Sequence, residues 1–205
     1  MHIAIEGMDG VGKTTVARLL STRLGFDVVE KPLRYLLDEP GETANYVHTR
    51  DYINQQVEND PLRAWFYGLG NVFLYHRFRG RDVITDRHFA SNYFWCGGPG
   101  TEDIFKCMVD LVGKPEHTFL LHASLEEATR RIRGRDAQDP DLEKAALGAR
   151  ARQKMESFLV RYDMPHTVVD TTSLRPEEVV DVMLGVLRER GVIPANANPV
   201  DCPPE

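Results

Sequence analysis

The chain has 205 residues, 42% of them hydrophobic, and a net charge of −6. That length suits one domain with a substantial core, and the acidic balance disfavours an extended nucleic-acid surface, which needs clustered Lys and Arg. No apolar run approaches a membrane span, the N-terminus enters a strand at once with no room for a signal peptide, and Cys96, Cys107 and Cys202 suggest neither a disulfide framework nor a zinc site; a cytoplasmic protein is expected.

In chain order, Ile3-Ala4-Ile5 predicts a first strand. Gly7-Met8-Asp9-Gly10-Val11-Gly12-Lys13-Thr14-Thr15 follows, and Val16-Ala17-Arg18-Leu19-Leu20 opens a helix expected from Lys13 to about Leu24, with Gly25 as its C-terminal cap. A second strand, Asp27 to Glu30, ends at Lys31-Pro32, where proline cannot continue the ladder. The stretch to about Tyr46 has no clear period, although Asp38-Glu39-Pro40-Gly41 is a turn signal.

From Pro61, the residues Leu62, Trp65, Phe66, Leu69, Val72 and Phe73 fall on one helical stripe. Burial within the chain accounts for that stripe as well as contact with a second copy does. Gly68 and Gly70 invite a close approach. Tyr67, Asn71 and Tyr75 lie off the stripe, placed for a ligand cleft or for core packing.

Asp82 to Thr85 predicts a buried strand that emerges at Asp86-Arg87-His88. An apolar segment, Asn92 to Trp95, is then broken by Gly97-Gly98-Pro99-Gly100. A helix is expected from Glu102 to Val112, and a strand from Thr118 to Leu121. Ser124, with Glu127 three residues on, reads as the N-cap of a helix that ends in Arg130-Arg131-Ile132-Arg133-Gly134-Arg135. After the polar Asp136–Pro140 stretch, one long helix is expected to carry Leu142, Ala145, Ala149, Met155 and Phe158. A last strand, Thr167 to Asp170, precedes a helix burying Val179, Val180, Met183, Leu184 and Leu187. Strands alternating with helices predict a parallel sheet covered by helices. Residues 1–193 read as a single domain and 194–205 as a flexible tail.

Gly, four residues, then Gly-Lys-Thr, between a strand and a helix, is a phosphate-binding loop. Its glycines let backbone N–H groups point at phosphate oxygens at the positive end of a helix. Gly7, Gly10, Val11, Gly12, Lys13, Thr14 and Thr15 are therefore the expected binders of ATP, Lys13 reaching the outer phosphates and the Thr14 hydroxyl meeting Mg²⁺. Asp86 stands where it can hold Mg²⁺ through water, orient Arg87, or cap the segment beginning at His88. Arg87 can span phosphate oxygens bidentately. Arg130, Arg131, Arg133 and Arg135, before a polar loop, suggest a lid at about 131–141 that closes over the triphosphate; a solvated helix face is the plainer alternative.

At these residues the chain resembles the thymidylate kinase family, and more distantly the deoxynucleoside kinases. The motifs are Ile5-Glu6-Gly7 through Thr15, then Thr85-Asp86-Arg87-His88 with Ser91, then Arg131-Ile132-Arg133-Gly134-Arg135, with Val169-Asp170-Thr171 and Pro176-Glu177-Glu178-Val179 near the end. The resemblance implies an α/β three-layer sandwich with a central parallel sheet of about five strands, of the P-loop kinase, Rossmann-like type, with an arginine-rich lid. It places Asp9 beside the acceptor's sugar and Arg87 at its phosphate, with Ser91 also among the acceptor-binding residues. Position 10 is Gly where some members carry an arginine, so the catalytic arginine falls to Arg131, Arg133 or Arg135. It also admits a homodimer.

Two departures matter. The family ends its second strand with Arg-Glu-Pro-Gly-Gly-Thr, whereas this chain has Glu30-Lys31-Pro32-Leu33-Arg34-Tyr35, with a displaced echo at Asp38 to Thr43. The family sets Phe and, four residues on, Arg against thymine; here Phe66 is followed at that spacing by Gly70, leaving Tyr67 or Asn71 as base readers.

The expected function is ATP- and Mg²⁺-dependent phosphoryl transfer to a nucleoside monophosphate, dTMP or a related pyrimidine deoxynucleotide first. The alternative acceptor is a nucleoside, with Glu30 as general base, a role that an anionic monophosphate does not need. Glu30 can equally pair with Lys31 or Arg34. A nucleotide-dependent switch without an acceptor is the third reading, and no water-positioning residue supports it.

Overall fold

The computed structural model describes residues 1–38 and 43–195. Strands β1 (His2–Glu6), β2 (Asp27–Glu30), β3 (Val83–Asp86), β4 (His117–His122) and β5 (His166–Asp170) form one parallel sheet in the order β2-β3-β1-β4-β5. Every residue of β1 is buried, which is why it carries Ile-Ala-Ile without polar alternation. The order reverses at β1, which pairs with β3 on one side and β4 on the other. In such sheets the crevice at the strands' carboxyl ends is the ligand site.

The helices are α1 (Lys13–Leu24), α2 (Leu33–Leu37), α3 (Asn45–Gln56), α4 (Asp60–Arg77), α5 (Phe89–Cys96), α6 (Glu102–Val112), α7 (Leu125–Arg135), α8 (Asp141–Lys144), α9 (Gly148–Arg161) and α10 (Pro176–Glu189). Side chains alternate across the sheet, so Phe119 and Leu121 join Ile3, Ile5, Leu20 and Met183 under α1 and α10. Leu120 points the other way, to Phe89, Phe105, Met155 and Phe158 under α5, α6 and α9. Each such fully buried side chain contributes roughly 1.5–3 kcal/mol. The result is the expected three-layer α/β sandwich. Gly25, in the left-handed conformation, caps α1, and the five residues expected to be buried on α10 are buried.

The helix from Pro61 turns out differently from the burial reading. Leu62, Trp65, Leu69 and Val72 are between 42% and 48% exposed, so burial within the chain does not explain the stripe. The inner face of α4 carries Ala64, Gly68, Asn71 and Leu74 instead. Gly68 permits this: a Cβ there would lie 2.0 Å from the Met108 sulfur on α6. Gly70 faces Leu33 and Pro32 at the start of α2. Small residues let neighbouring elements approach the helix closely, and the large apolar residues are left outside.

The expected long helix after Pro140 is broken. Asp141–Lys144 and a 3-10 turn, Ala145–Leu147, precede α9, which starts at Gly148, a residue of low helix propensity. The break lets α8 lie against α7 while α9 runs beneath the sheet. The aperiodic stretch after Pro32 holds α2 and the start of α3. The displaced echo at Asp38 to Thr43 falls largely on residues 39–42, and the tail from 196 onward likewise lies outside the described residues.

Candidate active site

The phosphate-binding loop joins β1 to α1 at the carboxyl edge of the sheet. Gly7 has φ +138° and Gly10 φ +81°; a Cβ would stand 2.3 Å from the Leu121 carbonyl oxygen in the first case and 2.6 Å from that of Ala128 in the second. The loop is thus pressed between β4 and α7, and only glycine fits. Val11 packs into the core while its carbonyl accepts from the Thr171 hydroxyl at 3.0 Å. Lys13 is buried and folds back to donate to the Met8 carbonyl at 2.7 Å. Burial lowers its ammonium pKa to about 8; Arg87 adds to that effect, while Asp86, Asp9 and Glu6 oppose it.

At the mouth of α1 the Thr14 hydroxyl donates to Asp86 Oδ2. The other oxygen of that carboxylate, Oδ1, is buried without a partner. An orphaned hard oxygen beside a loop hydroxyl fits a Mg²⁺ site, since that ion takes one or two protein oxygens and completes its shell with phosphates and water. Among the described residues no group of three or more His, Cys, Asp or Glu side chains is placed to hold a metal ion. Asp86 does not cap α5.

Glu6 does. Its buried carboxylate accepts from the backbone N–H of His88 at 3.0 Å and Ala90 at 2.8 Å, and from both the backbone and the hydroxyl of Ser91. Burial raises the Glu6 pKa, and these hydrogen bonds and Arg87 oppose the rise. Between β3 and that helix Arg87 sits at φ +77°, a left-handed conformation costly for a residue with a Cβ. Its guanidinium turns back to the loop, 2.5 Å from Asp9 Oδ1 and 3.1 Å from the Gly7 carbonyl, with Ser91 Oγ at 3.5 Å. Burial opposes ionisation of Asp9, yet the charges of Arg87 and Lys13 hold its carboxyl below the usual range.

A cavity of about 730 Å³ opens beside the loop, between α7 and the start of α10. Thr14 and Thr15 line it, as do Arg130, Arg131 and Arg135; Arg133 does not. Arg131 is tied down, donating to the Thr171 carbonyl at 2.6 Å and hydroxyl at 3.1 Å, to Glu127 at 2.7 Å, and reaching the Gly10 carbonyl at 3.5 Å. Arg130 pairs with Glu127 at the surface. Arg135 is held by Asp139 and Asp141. Ser124 caps α7 as expected, but the Glu127 side chain serves these arginines rather than completing a capping box.

Glu30, level with Asp86 in the sheet register, pairs with Arg18 at 3.1 Å rather than with Lys31 or Arg34. On α4, Tyr67 donates to Asn54 of α3 at 2.7 Å, and Tyr75 shares a 2.7 Å hydrogen bond with His2. Phe66 lies edge-on to Tyr67, half-buried beside the outer stripe, and Asn71 is buried. Asp9, Arg87, Ser91, Lys13 and Thr14 are therefore brought together, whereas among the described residues no hydrogen bond or ion pair joins Phe66, Gly70 or Asn71 to them. Two residues received no role from the sequence, although both stand inside its motifs: Glu6, which caps α5, and Thr171, which holds Arg131. Glu6 left a local signal, an acidic residue ending an apolar strand.

The thymidylate kinase family model matches residues 5–182. A probable thymidylate kinase of Methanocaldococcus jannaschii is 26% identical over 197 residues, covering 92% of this chain and 96% of that protein. A deoxyguanosine kinase of Bacillus subtilis is 26% identical over 65% of this chain and 66% of its own. Among solved structures, thymidylate kinase of Candida albicans superposes with a TM-score of 0.70 at 19% identity, covering 93% of this chain and 92% of its own, a likeness of fold.

Proposed function

The chain belongs to the thymidylate kinase family and is an ATP-dependent nucleotide kinase, and we propose that its acceptor is a pyrimidine deoxynucleoside monophosphate, dTMP before others. The Arg87–Asp9 ion pair carries this reading, because it puts a phosphate-binding cation and a hydroxyl acceptor side by side at the loop that holds the donor. The probable thymidylate kinase relative, matched along nearly its whole length, supports the choice of base.

On this reading ATP lies along the cavity beside the loop. Lys13 leaves the Met8 carbonyl for the outer phosphates, and Thr14 and Asp86 would hold Mg²⁺. The ion supplies charge neutralisation of the phosphates when bound. Arg87 grips the acceptor phosphate and Asp9 accepts from the sugar hydroxyl. An acceptor oxygen, already anionic, attacks the γ-phosphorus in line and ADP leaves, so no general base is required. Arg131 and Arg135 supply positive charge from the lid side, and closure excludes water. Two features beyond the site belong to the same reading: a homodimer built on the exposed α4 stripe, and a cytoplasmic setting, supported by the free thiols Cys96 and Cys107. Among the described residues no helix is long and apolar enough to cross a membrane.

The test is a panel of nucleosides and monophosphates incubated with ATP and Mg²⁺. Diphosphate from dTMP is the expected product; none from any monophosphate overturns the reading. Glu30 at the strand ends and the deoxyguanosine kinase relative favour a nucleoside acceptor as the second reading. Glu30→Gln then abolishes transfer to a nucleoside, whereas it leaves transfer to a monophosphate within about twofold, as breaking an exposed ion pair does.

A further inference from the structure

Arg87 is held in an unfavourable backbone conformation, and something must hold it there. Its own N–H donates to the Ile5 carbonyl at 2.9 Å, and the next N–H, of His88, donates to the Glu6 carboxylate at 3.0 Å. Two consecutive residues at the end of β1 thus clamp both sides of the strained position. The same Glu6 carboxylate takes the N–H groups of Ala90 and Ser91 and the Ser91 hydroxyl, so it also fixes the first turn of α5. Glu6 is 1% exposed and immediately precedes Gly7, whose carbonyl receives Arg87. It touches no part of the nucleotide cavity.

We propose that Glu6 is a positioning residue: by clamping the Arg87–Ser91 turn to the end of β1, it holds the Arg87 guanidinium on Asp9 and against the acceptor phosphate. Its chemistry suits this. A carboxylate is acceptor-only, and four donors converge on it; an amide at the same place presents an N–H₂ group toward the Ser91 donors and breaks the set. The acceptor-phosphate half of the statement rests on the function proposed above, while the Arg87–Asp9 half does not.

The experiment compares Glu6→Gln with the unmodified protein by three readouts. Binding of dTMP weakens about tenfold while ATP binding stays within twofold. The Asp9 carboxyl, followed by carbon NMR without any substrate, titrates higher because Arg87 no longer holds it. In an Arg87→Ala background Glu6→Gln has no further effect on dTMP binding. Equal weakening of ATP and dTMP, an unmoved Asp9 titration, or full additivity with Arg87→Ala overturns the proposal. If Glu6→Gln does not fold, Glu6→Asp keeps the charge but shortens the carboxylate's reach to the His88, Ala90 and Ser91 donors and produces a smaller Asp9 shift in the same direction, and no shift overturns it. If the unmodified protein phosphorylates no monophosphate, the function reading fails and the Asp9 titration still decides the role of Glu6.

Discussion

The Arg87 guanidinium stands 2.5 Å from the Asp9 carboxylate, joining the turn after β3 to the phosphate-binding loop after β1. The pair is partly exposed, so its worth lies in geometry rather than in stability. On the proposed function, Arg87 is already aimed and ordered before an acceptor phosphate arrives, and little side-chain entropy remains to be lost.

Replacing Arg87 by alanine removes charge-assisted hydrogen bonds worth about 1.5–3 kcal/mol to the bound phosphate. The expected outcome is a rise in KM for the monophosphate and a fall in kcat/KM of about 10- to 100-fold, with KM for ATP nearly unchanged. Steady-state kinetics with each substrate varied in turn checks it.

Thr14 and Asp86 bear on the metal. Asp86→Asn keeps an oxygen for the Thr14 hydroxyl but turns the orphaned Oδ1 position into a neutral amide. The Mg²⁺ concentration for half-maximal activity should rise about 10-fold or more, by analogy with the loss of a metal-supporting carboxylate. A Mg²⁺ titration at fixed ATP reads this directly.

The lid arginines are expected to separate. Arg131 reaches both Thr171 and the Gly10 carbonyl and lines the cavity, whereas Arg133 makes no hydrogen bond or ion pair among the described residues and lies off it. Arg131→Ala should lower kcat by about 10²-fold or more, in the range seen when transition-state charge stabilisation is removed. Arg133→Ala should stay within about twofold. Single-turnover measurements distinguish loss of chemistry from slow release.

Acid stability should fall in a defined window. His2 is buried against Tyr75, Thr85 and His88, and burial pushes its pKa from 6.5 down to about 3; His88, also buried, is lowered well below its ordinary value. Both are neutral in the folded chain, and the unfolded chain takes up protons first. Stability is therefore full above about pH 6.5 and declines as pH falls below it, by about 1.4 kcal/mol per pH unit for each group, with the His2 contribution lost by about pH 3. Urea unfolding at pH 7, 6 and 5 tests the slope, and Tyr75→Phe should reduce stability without changing it.

How far the sequence reaches can be judged from α4. Its apolar spacing announced a helix, and α4 is one, but spacing cannot say which face is inward. Met108, forty residues away, fits only against Gly68, and that single close approach turns Trp65 and Leu69 outward. The broken helix before α9 has a similar cause: Gly148 permits a break, and packing of α8 on α7 selects it.

By itself the sequence determined the order and type of the strands and most helices, and the phosphate-binding loop between β1 and α1. These follow from local rules, since period, caps and glycine spacing act within a few residues along the chain. The tertiary structure alone decided which arginines face the cavity, that Glu30 meets Arg18, and that Glu6 caps α5 from 82 residues or more away. Those contacts join residues distant in the chain, and their partners are chosen by strand order and helix packing, which no short window of sequence contains.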